Sequence, residues 1–235
     1  MNKLGIVIST YQRRDGKTPF FLEKALDSVF SQTYQNFKIY LIGDKYEDND
    51  EFIKIISKYP QDKIYYENLS YAKERDSYID KSLIWSYGGV NAVNIGIDKS
   101  LLDGYEYICH LDHDDWWTPT HLEEINKCIE LTSCDWMCTK STYMSTVDSL
   151  PRVKSDELYL PFHPMVNQLI HSSVCMNFKK IPLKYKDVYQ ETKKLGLPAD
   201  ADLWERTREY IIKHNLKSYF INKLTCRHDE EGFEK

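Results

Sequence analysis

The sequence lacks a long apolar run of the kind that crosses a membrane. Its first segment, Met1–Ile8, has only a few apolar residues before Ser9, which is too short for a signal peptide or a membrane span. No other stretch of the 235 residues is long enough to span either. We therefore expect a soluble protein of the cytoplasm, without a transmembrane segment.

The sequence also lacks a cysteine pattern. Six cysteines are scattered along it without a Cys-x-x-Cys pair, namely Cys109, Cys128, Cys134, Cys138, Cys175 and Cys226. Most lie in apolar runs, where cysteine behaves as a small buried residue, and a reducing compartment disfavours disulfides. His110 and His113 flank Asp112, but no second ligand pair stands at zinc-finger spacing. The pattern therefore does not favour a structural zinc site.

An excess of positive charge is missing as well. The formal net charge is −5 and the isoelectric point is near 5.8, so nothing suggests a nucleic acid or an anionic membrane as the partner. Hydrophobic residues make up 42% of the chain and aromatic residues 14%, which argues against disorder. A chain of this length can bury the core of one large domain or two small ones.

One stretch concentrates carboxylates at the end of a predicted strand. Tyr105–Trp117, YEYICHLDHDDWW, begins with apolar strand-forming residues and continues with Asp112, Asp114 and Asp115. Carboxylates this close repel one another unless a cation lies beside them. Mg²⁺ and Mn²⁺ are often held by one or two carboxylates together with substrate phosphates. The stretch therefore indicates either a metal–phosphate site or a solvated acidic turn.

The order of predicted elements brings other polar segments beside these carboxylates. Alternating strands and helices in the first 130 residues predict a parallel sheet with helices on both faces. Ligands of such sheets bind at the carboxyl ends of the strands, where the loop Thr10–Arg14, Asp44 and Asp112–Asp115 would meet. Three polar strand ends at one edge favour a binding site over an acidic turn.

The apolar patterns give the bounds of the predicted elements. Strands are predicted at Leu4–Ser9, Lys38–Gly43, Lys63–Glu67, Asp135–Cys138 and Val174–Phe178. Helices are predicted from Thr18, around Phe52–Tyr59, from Val90 to near Gly104, at Pro119–Leu131 and from Leu203. Asn68–Tyr87 and Ser145–Pro164 show no firm period, so we expect them to be surface excursions of the chain.

Six motifs in this order resemble the family 2 inverting glycosyltransferases of GT-A fold. They are Val7–Arg13 (VISTYQR), Ala25–Tyr34 (ALDSVFSQTY), Phe37–Asp44, Gly89–Gly96 (GVNAVNIG), Tyr107–Trp116 and Asp200–Trp204 (DADLW). The match is good over about residues 4–130 and looser over 195–230. The resemblance implies an α/β, Rossmann-like fold with a central, mostly parallel sheet flanked by helices. It also implies one domain over 1–235, with a nucleotide-binding half (1–117) and an acceptor-binding half (118–235).

The resemblance implies metal-dependent transfer of a sugar, with inversion, from a nucleotide-diphosphate sugar to a hydroxyl group. UDP-sugar is the default donor, because Asp44 could accept from the uracil N–H, although guanine and thymine offer an N–H too. The acceptor would be a glycan, a glycoprotein or a glycolipid. Mn²⁺ or Mg²⁺ would stabilise the leaving diphosphate, and a carboxylate base would take the proton of the acceptor hydroxyl.

The matched motif positions assign roles to individual residues. The implied metal ligands are Asp112 and Asp114. His228 joins them because Cys226-Arg227-His228 resembles a further family segment, although a lone histidine there is more often a surface residue. The implied donor-binding residues are Thr10, Tyr11, Arg13, Asp44, Asn94 and again Asp112. Asp200 is the implied base. Asp202 is its rival, although it could instead cap the helix expected from Leu203. The role of Asp115 stays open between a place beside the metal and a helix cap.

Two departures from the family pattern keep other functions open. Ala199 precedes Asp200 where the family has an acid, and Val93 precedes Asn94 where members often have a basic residue. Both would suit a degenerate nucleotide-sugar-binding domain. Without the basic residue, the diphosphate charge would rest on the metal and on cations such as Arg13, Lys73, Arg75 or Lys81. A DxD phosphatase is disfavoured, because Trp116 stands where that chemistry wants threonine or valine. A sugar nucleotidyltransferase would need a loop richer in glycine than STYQRRDGK.

Overall fold

A mixed sheet forms the centre of the computed structural model, which describes residues 2–143 and 149–228. The strands are β1 Leu4–Thr10, β2 Phe37–Gly43, β3 Ile64–Asn68, β4 Tyr107–His110, β5 Trp116–Trp117, β6 Trp136–Thr142, β7 Ser149–Leu150, β8 Tyr159–Pro161, β9 Val174–Asn177 and β10 Ser218–Arg227. The helices are α1 Thr18–Phe30, α2 Asn49–Ile56, α3 Lys81–Tyr87, α4 Val90–Leu102, α5 His121–Thr132, α6 Val188–Thr192 and α7 Ala199–His214. None of these helices is long and apolar enough to cross a membrane.

The strand order brings the predicted site segments to one edge. The sheet runs β3-β2-β1-β4-β9-β6-β10-β5, with β7 beside β6 and β8 beside β10. β1 is parallel to β2 and to β4, and β2 is parallel to β3, so the carboxyl ends of these four strands lie together. β9 is antiparallel to both of its neighbours, β4 and β6. The expected α/β fold with a mostly parallel sheet flanked by helices is confirmed.

The two faces of the sheet carry two separate apolar cores. Successive residues of a strand point to opposite faces, so Ile6 and Ile8 face one core while Val7 faces the other. The first core packs against α1, α2 and α5, and the second against α4 and α7. β-strands from before and after residue 117 belong to the same sheet. The division into a nucleotide-binding and an acceptor-binding half stays a prediction.

Helix α4 lies unusually close to the sheet. Gly89 enters it with a left-handed φ of 79°, which glycine adopts without a Cβ clash. Further along, a Cβ atom on Gly96 would lie 2.7 Å from Cγ1 of Val7 and 3.4 Å from Cγ1 of Ile42. The absence of a side chain at Gly96 therefore sets the distance between α4 and strands β1 and β2.

Several elements differ from the sequence-based expectations. The helix expected from Leu203 begins at Ala199, so Asp202 lies inside the first turn and does not cap it. Strand β10 is absent from the predicted strands, and its pairing with β6 contains two register irregularities. Asn68–Tyr87 ends in helix α3. In the excursion expected at Ser145–Pro164, residues 149–150 and 159–161 form strands, while 145–148 lie outside the described residues.

We predict that Gly96→Ala destabilises the protein by up to about 2 kcal/mol. Alanine favours a helix by about 1 kcal/mol over glycine, but the new methyl group overpacks the contact with β1, which costs about 1–3 kcal/mol. Urea unfolding measures the difference. Leu102→Ala, at an 83% exposed position in the same helix, is the control and should stay within about 0.5 kcal/mol of the parent. A Gly96→Ala protein more stable than the parent would contradict this close packing.

Candidate active site

The ends of β1 and β2 carry two buried side-chain oxygens that have no hydrogen-bond partner among the described residues. The backbone N–H of Asp44 donates to the carbonyl of Thr10 at 2.7 Å, which holds the two strand ends together. Thr10 Oγ1 and Asp44 Oδ1 are buried, and neither has a hydrogen-bond partner among the described residues. Unpaired polar atoms in a buried position are unfavourable unless a ligand supplies the partner. A ligand bound at these strand ends could donate to Asp44 Oδ1, whereas the Thr10 hydroxyl could donate or accept.

Arg75 occupies the other side of Asp44. Its Nε donates to Asp44 Oδ2 at 2.9 Å, and its guanidinium lies 4.9 Å from the centre of the Tyr11 ring. Burial raises the pKa of Asp44 above its ordinary value, although Arg75 acts in the opposite direction. Arg75 is one of the cations that the sequence offers for the diphosphate charge. The structure pairs it with Asp44 instead, through a segment that has no local sequence signal.

Arg13 connects the loop after β1 to the acidic cluster. Its backbone N–H donates to Thr18 Oγ1 at 2.8 Å, and its guanidinium is buried. One nitrogen is 2.8 Å from Asp15 and the other is 3.5 Å from Asp114. Arg13 therefore brings a positive charge to the end of β4 from a loop that follows a different strand.

Asp112 and Asp114 are partly open to solvent. Their side chains are 39% and 26% exposed. Burial and the charges of Asp115 and Asp112 raise the pKa of Asp114 to about 6, against an opposing effect of His113. Burial alone would raise the pKa of Asp112 too, but the charge and hydrogen bond of His171, 2.8 Å away, lower it well below the ordinary value. The two neighbouring carboxylates thus differ strongly in proton affinity.

The donor set fits a hard divalent cation that shares its ligands with a substrate. In the described part of the chain, no three His, Cys, Asp or Glu side chains come together in a group that could hold a metal ion by themselves. Two adjacent carboxylates with exposed oxygens match the arrangement in which one or two carboxylates and several phosphate oxygens complete the shell of Mn²⁺ or Mg²⁺. Asp112 and Asp114 would supply those carboxylates.

Asp115 is buried beneath this cluster and joins three parts of the chain. Its Oδ2 accepts from Ser172 Oγ at 2.5 Å, and its Oδ1 lies 2.9 Å from His228 Nδ1. Ser172 Oγ also accepts from the backbone N–H of Asp112 at 2.9 Å. The helix-cap alternative for Asp115 is wrong, because Thr120 occupies the N-cap of the next helix. Asp115 instead fixes His228, the predicted ligand, relative to Asp112.

The two candidate bases lie in the first turn of α7 in different surroundings. Asp202 forms an ion pair with Arg206 at 2.7 Å, whereas within residues 2–143 and 149–228 the Asp200 carboxylate accepts one hydrogen bond, from the N–H of the adjacent Ala201 at 2.8 Å. Burial, and after it the charges of Asp200 and Asp112, raise the pKa of the Tyr185 hydroxyl well above its ordinary value. Of the two candidate bases, Asp200 therefore has the carboxylate with fewer bonds to other described residues.

Asn94 and Trp117 make contacts that the sequence does not indicate. The Asn94 amide forms two hydrogen bonds with the backbone of Tyr185. It donates to the carbonyl at 2.9 Å and accepts from the N–H at 3.1 Å. Trp117 is buried, stacks on His121 and donates to the carbonyl of Ser172. Donor binding by Asn94 stays a prediction, while the structure gives it a role in holding Tyr185.

Comparisons with known proteins agree on one family. The model described as Glycosyl transferase family 2 matches residues 5–171. A mimivirus protein (Acanthamoeba polyphaga mimivirus) described as an uncharacterized glycosyltransferase is 38% identical over 238 residues, covering 98% of this chain and 95% of that protein. The succinoglycan biosynthesis protein ExoW of Rhizobium meliloti is 34% identical over 138 residues, which is 59% of this chain and 37% of ExoW.

Two solved structures share the fold at low sequence identity. Staphylococcus aureus TarS 1–349 in complex with UDP-GlcNAc has a TM-score of 0.71 and 12% identity, covering 99% of this chain and 60% of that one. The mannosyltransferase PcManGT of Pyrobaculum calidifontis, in complex with GDP-Man and Mn²⁺, has a TM-score of 0.56 and 9% identity, covering 96% of this chain and 56% of that one. This chain thus spans only three fifths of the TarS chain, and the likeness shows the fold.

We predict that Asp115→Asn flattens the pH dependence of stability in the metal-free protein. Burial lowers the pKa of His228, but the hydrogen bond and charge of Asp115 outweigh it and raise the pKa from 6.5 to about 9. The stability from this pair is therefore fully present below about pH 6.5 and is lost as the pH rises through about 9. Without the Asp115 charge, that loss, on the order of 3 kcal/mol, should shrink.

Urea unfolding between pH 6 and 9.5 and an NMR titration of His228 measure this effect. His228→Gln should flatten the same pH range, and the double variant should add nothing further, because both changes remove one interaction. An unchanged slope in Asp115→Asn would show that the His228 pKa depends on other groups.

Proposed function

Because this chain belongs to glycosyl transferase family 2, it is a glycosyltransferase that uses a nucleotide sugar, and we propose that it moves the sugar of a UDP-sugar, with inversion, to a hydroxyl group. The proposed acceptor is a glycan, a glycoprotein or a glycolipid. One observation carries the proposal. Asp112 and Asp114 form a partly exposed pair of carboxylates at the edge of the sheet, and the charges of Asp112 and of the separate carboxylate Asp200 both act on the buried Tyr185 hydroxyl.

The two carboxylate groups suit the two ends of a displacement reaction. Asp114 and Asp112 would hold Mn²⁺ or Mg²⁺ beside the diphosphate, and the ion, when bound, would act as a Lewis acid for the leaving group. Asp200 would accept the proton of the acceptor hydroxyl on the opposite side of the sugar. His228, fixed through Nδ1 by Asp115, would approach the metal and the diphosphate with its other nitrogen.

The surroundings of Asp44 support uracil over guanine as the base. Arg75 already occupies Asp44 Oδ2, so only Oδ1 is left to accept a hydrogen bond from a ligand. Uracil offers a single ring N–H, which one oxygen can accept. Guanine offers an adjacent ring N–H and amino group, which a carboxylate pairs with best through both oxygens.

We predict that Asp44→Ala weakens UDP binding about tenfold or more and leaves GDP binding nearly unchanged. A hydrogen bond to a charged group contributes about 1.5–3 kcal/mol, which corresponds to at least tenfold in affinity. Calorimetric titration with UDP and GDP in the presence of Mn²⁺ gives both values. Glu47→Ala is the control, because Glu47 is a 53% exposed carboxylate 3.7 Å from the same arginine. A parent protein that binds GDP more tightly than UDP would contradict the uracil assignment.

Three variants distinguish the role of the proposed metal ligand from the role of the proposed base. We expect Asp114→Ala to lose Mn²⁺-dependent binding of UDP. Asp200→Asn should bind UDP like the parent but turn over at least about 100-fold more slowly, because the base is gone. Asp202→Asn is the matched control in the same helical turn and should keep its turnover.

Hydrolysis and transfer across a panel of nucleotide sugars provide the measurement. If Asp202→Asn loses turnover while Asp200→Asn stays active, Asp202 and not Asp200 is the base. Donor binding without turnover by the parent, across donors and sugar acceptors, would favour the degenerate binding domain.

A further inference from the structure

We propose that Tyr185 is a positioning residue for the donor. Its hydroxyl fixes the ring of His171, and His171 in turn fixes the orientation of the Asp112 carboxylate. This inference rests on the proposed function, in which Asp112 contacts the nucleotide sugar or its metal. Tyr185 would affect donor binding without touching the donor.

A chain of two short contacts links Tyr185 to Asp112. The Tyr185 hydroxyl lies 2.7 Å from His171 Nε2, and His171 Nδ1 lies 2.8 Å from Asp112 Oδ1. The Asp112 side chain is partly exposed, so without a fixed partner it could adopt other rotamers. With Oδ1 held by His171, the second oxygen is presented to the ligand in one orientation.

Tyr185 is itself held firmly enough to serve as a reference point. Its ring is buried and packs edge-on against His110, His171 and Trp204, with ring centres 5.6, 5.6 and 6.4 Å away. Its backbone N–H and carbonyl are both bonded to the Asn94 amide on α4. Support from a helix on one side and a packed ring on the other fixes the hydroxyl, although the segment around it is neither helix nor strand.

A neighbouring contact ties the same segment to the helix of the candidate base. Arg206 on α7 donates to the carbonyl of Lys184 at 2.8 Å while it pairs with Asp202. The residues beside Tyr185 are thus bonded to α4 and α7, and the Tyr185 side chain reaches β4 through His171. The segment connects the donor-binding carboxylate to the helix that carries Asp200.

The central variant is Tyr185→Phe, which removes the hydroxyl and keeps the ring packing. We expect UDP binding in the presence of Mn²⁺ to weaken about tenfold and the donor KM to rise, with the acceptor KM unchanged. The urea midpoint should stay close to that of the parent. In the ligand-free protein, the NMR signal of His171 Nε2 should shift, because it loses its nearest partner.

Two further variants show whether the effect runs through His171. Tyr40→Phe is the matched control, since it removes another buried tyrosine hydroxyl, 2.9 Å from the carboxylate of Asp103, and should bind UDP like the parent. In a His171→Ala background, Tyr185→Phe should cause no additional loss. An equal additional loss in that background would overturn the route through His171.

UDP binding by the parent and by Tyr185→Phe tests the positioning role and the proposed function separately. If the parent binds UDP and Tyr185→Phe binds it equally well, the positioning role is overturned and the proposed function stands. If the parent binds no nucleotide with or without Mn²⁺, the proposed function is overturned, and the donor-binding role of Tyr185 with it.

Discussion

Repulsion among three carboxylates within four residues is the constraint on which the site depends. Asp112, Asp114 and Asp115 follow one strand end, and each must be balanced within a few ångströms. The structure balances each one differently, with His171 at Asp112, Arg13 at Asp114, and Ser172 and His228 at Asp115. This leaves two of the three partly exposed to receive a cation and one buried as a support.

These partners come from distant parts of the chain, so the cluster also constrains the fold. Arg13 follows β1, Ser172 precedes β9, and His228 follows β10. All three meet the acidic turn only if β9 lies beside β4 and β10 lies beside β5 and β6, as in the observed strand order. The antiparallel β9 thus brings Ser172 and His171 under the turn, which a fully parallel sheet would not do. The same sheet order therefore accounts for both the core and the site.

The sequence predicted the part of this arrangement that depends on local pattern. Apolar runs located β1 and β2, and helical spacing located α1 and α4, because these elements bury one regular face or both faces. The family resemblance and the GT-A fold are confirmed. The contacts of Asp115 with Ser172 and of Asn94 with Tyr185 could not be predicted, since each joins residues more than 50 positions apart without a periodic signal. The contact of Tyr185 with His171 spans 14 positions, but it lies in an irregular segment that has no periodic signal either. For Arg75, the sequence predicts a positive charge but not its partner, because the pairing with Asp44 depends on the path of an irregular segment.

The two departures from the family pattern have a common physical basis in this chain. Val93 and Ala199 are both buried in the second apolar core, the one that packs between the sheet and helices α4 and α7. A basic residue at 93 or an acid at 199 would place a charge in that core, which is costly without a partner. Val93 and Ala199 therefore suit the apolar contact that α4 and α7 make with the sheet. Taken alone, these two substitutions are weak evidence for a degenerate binding domain.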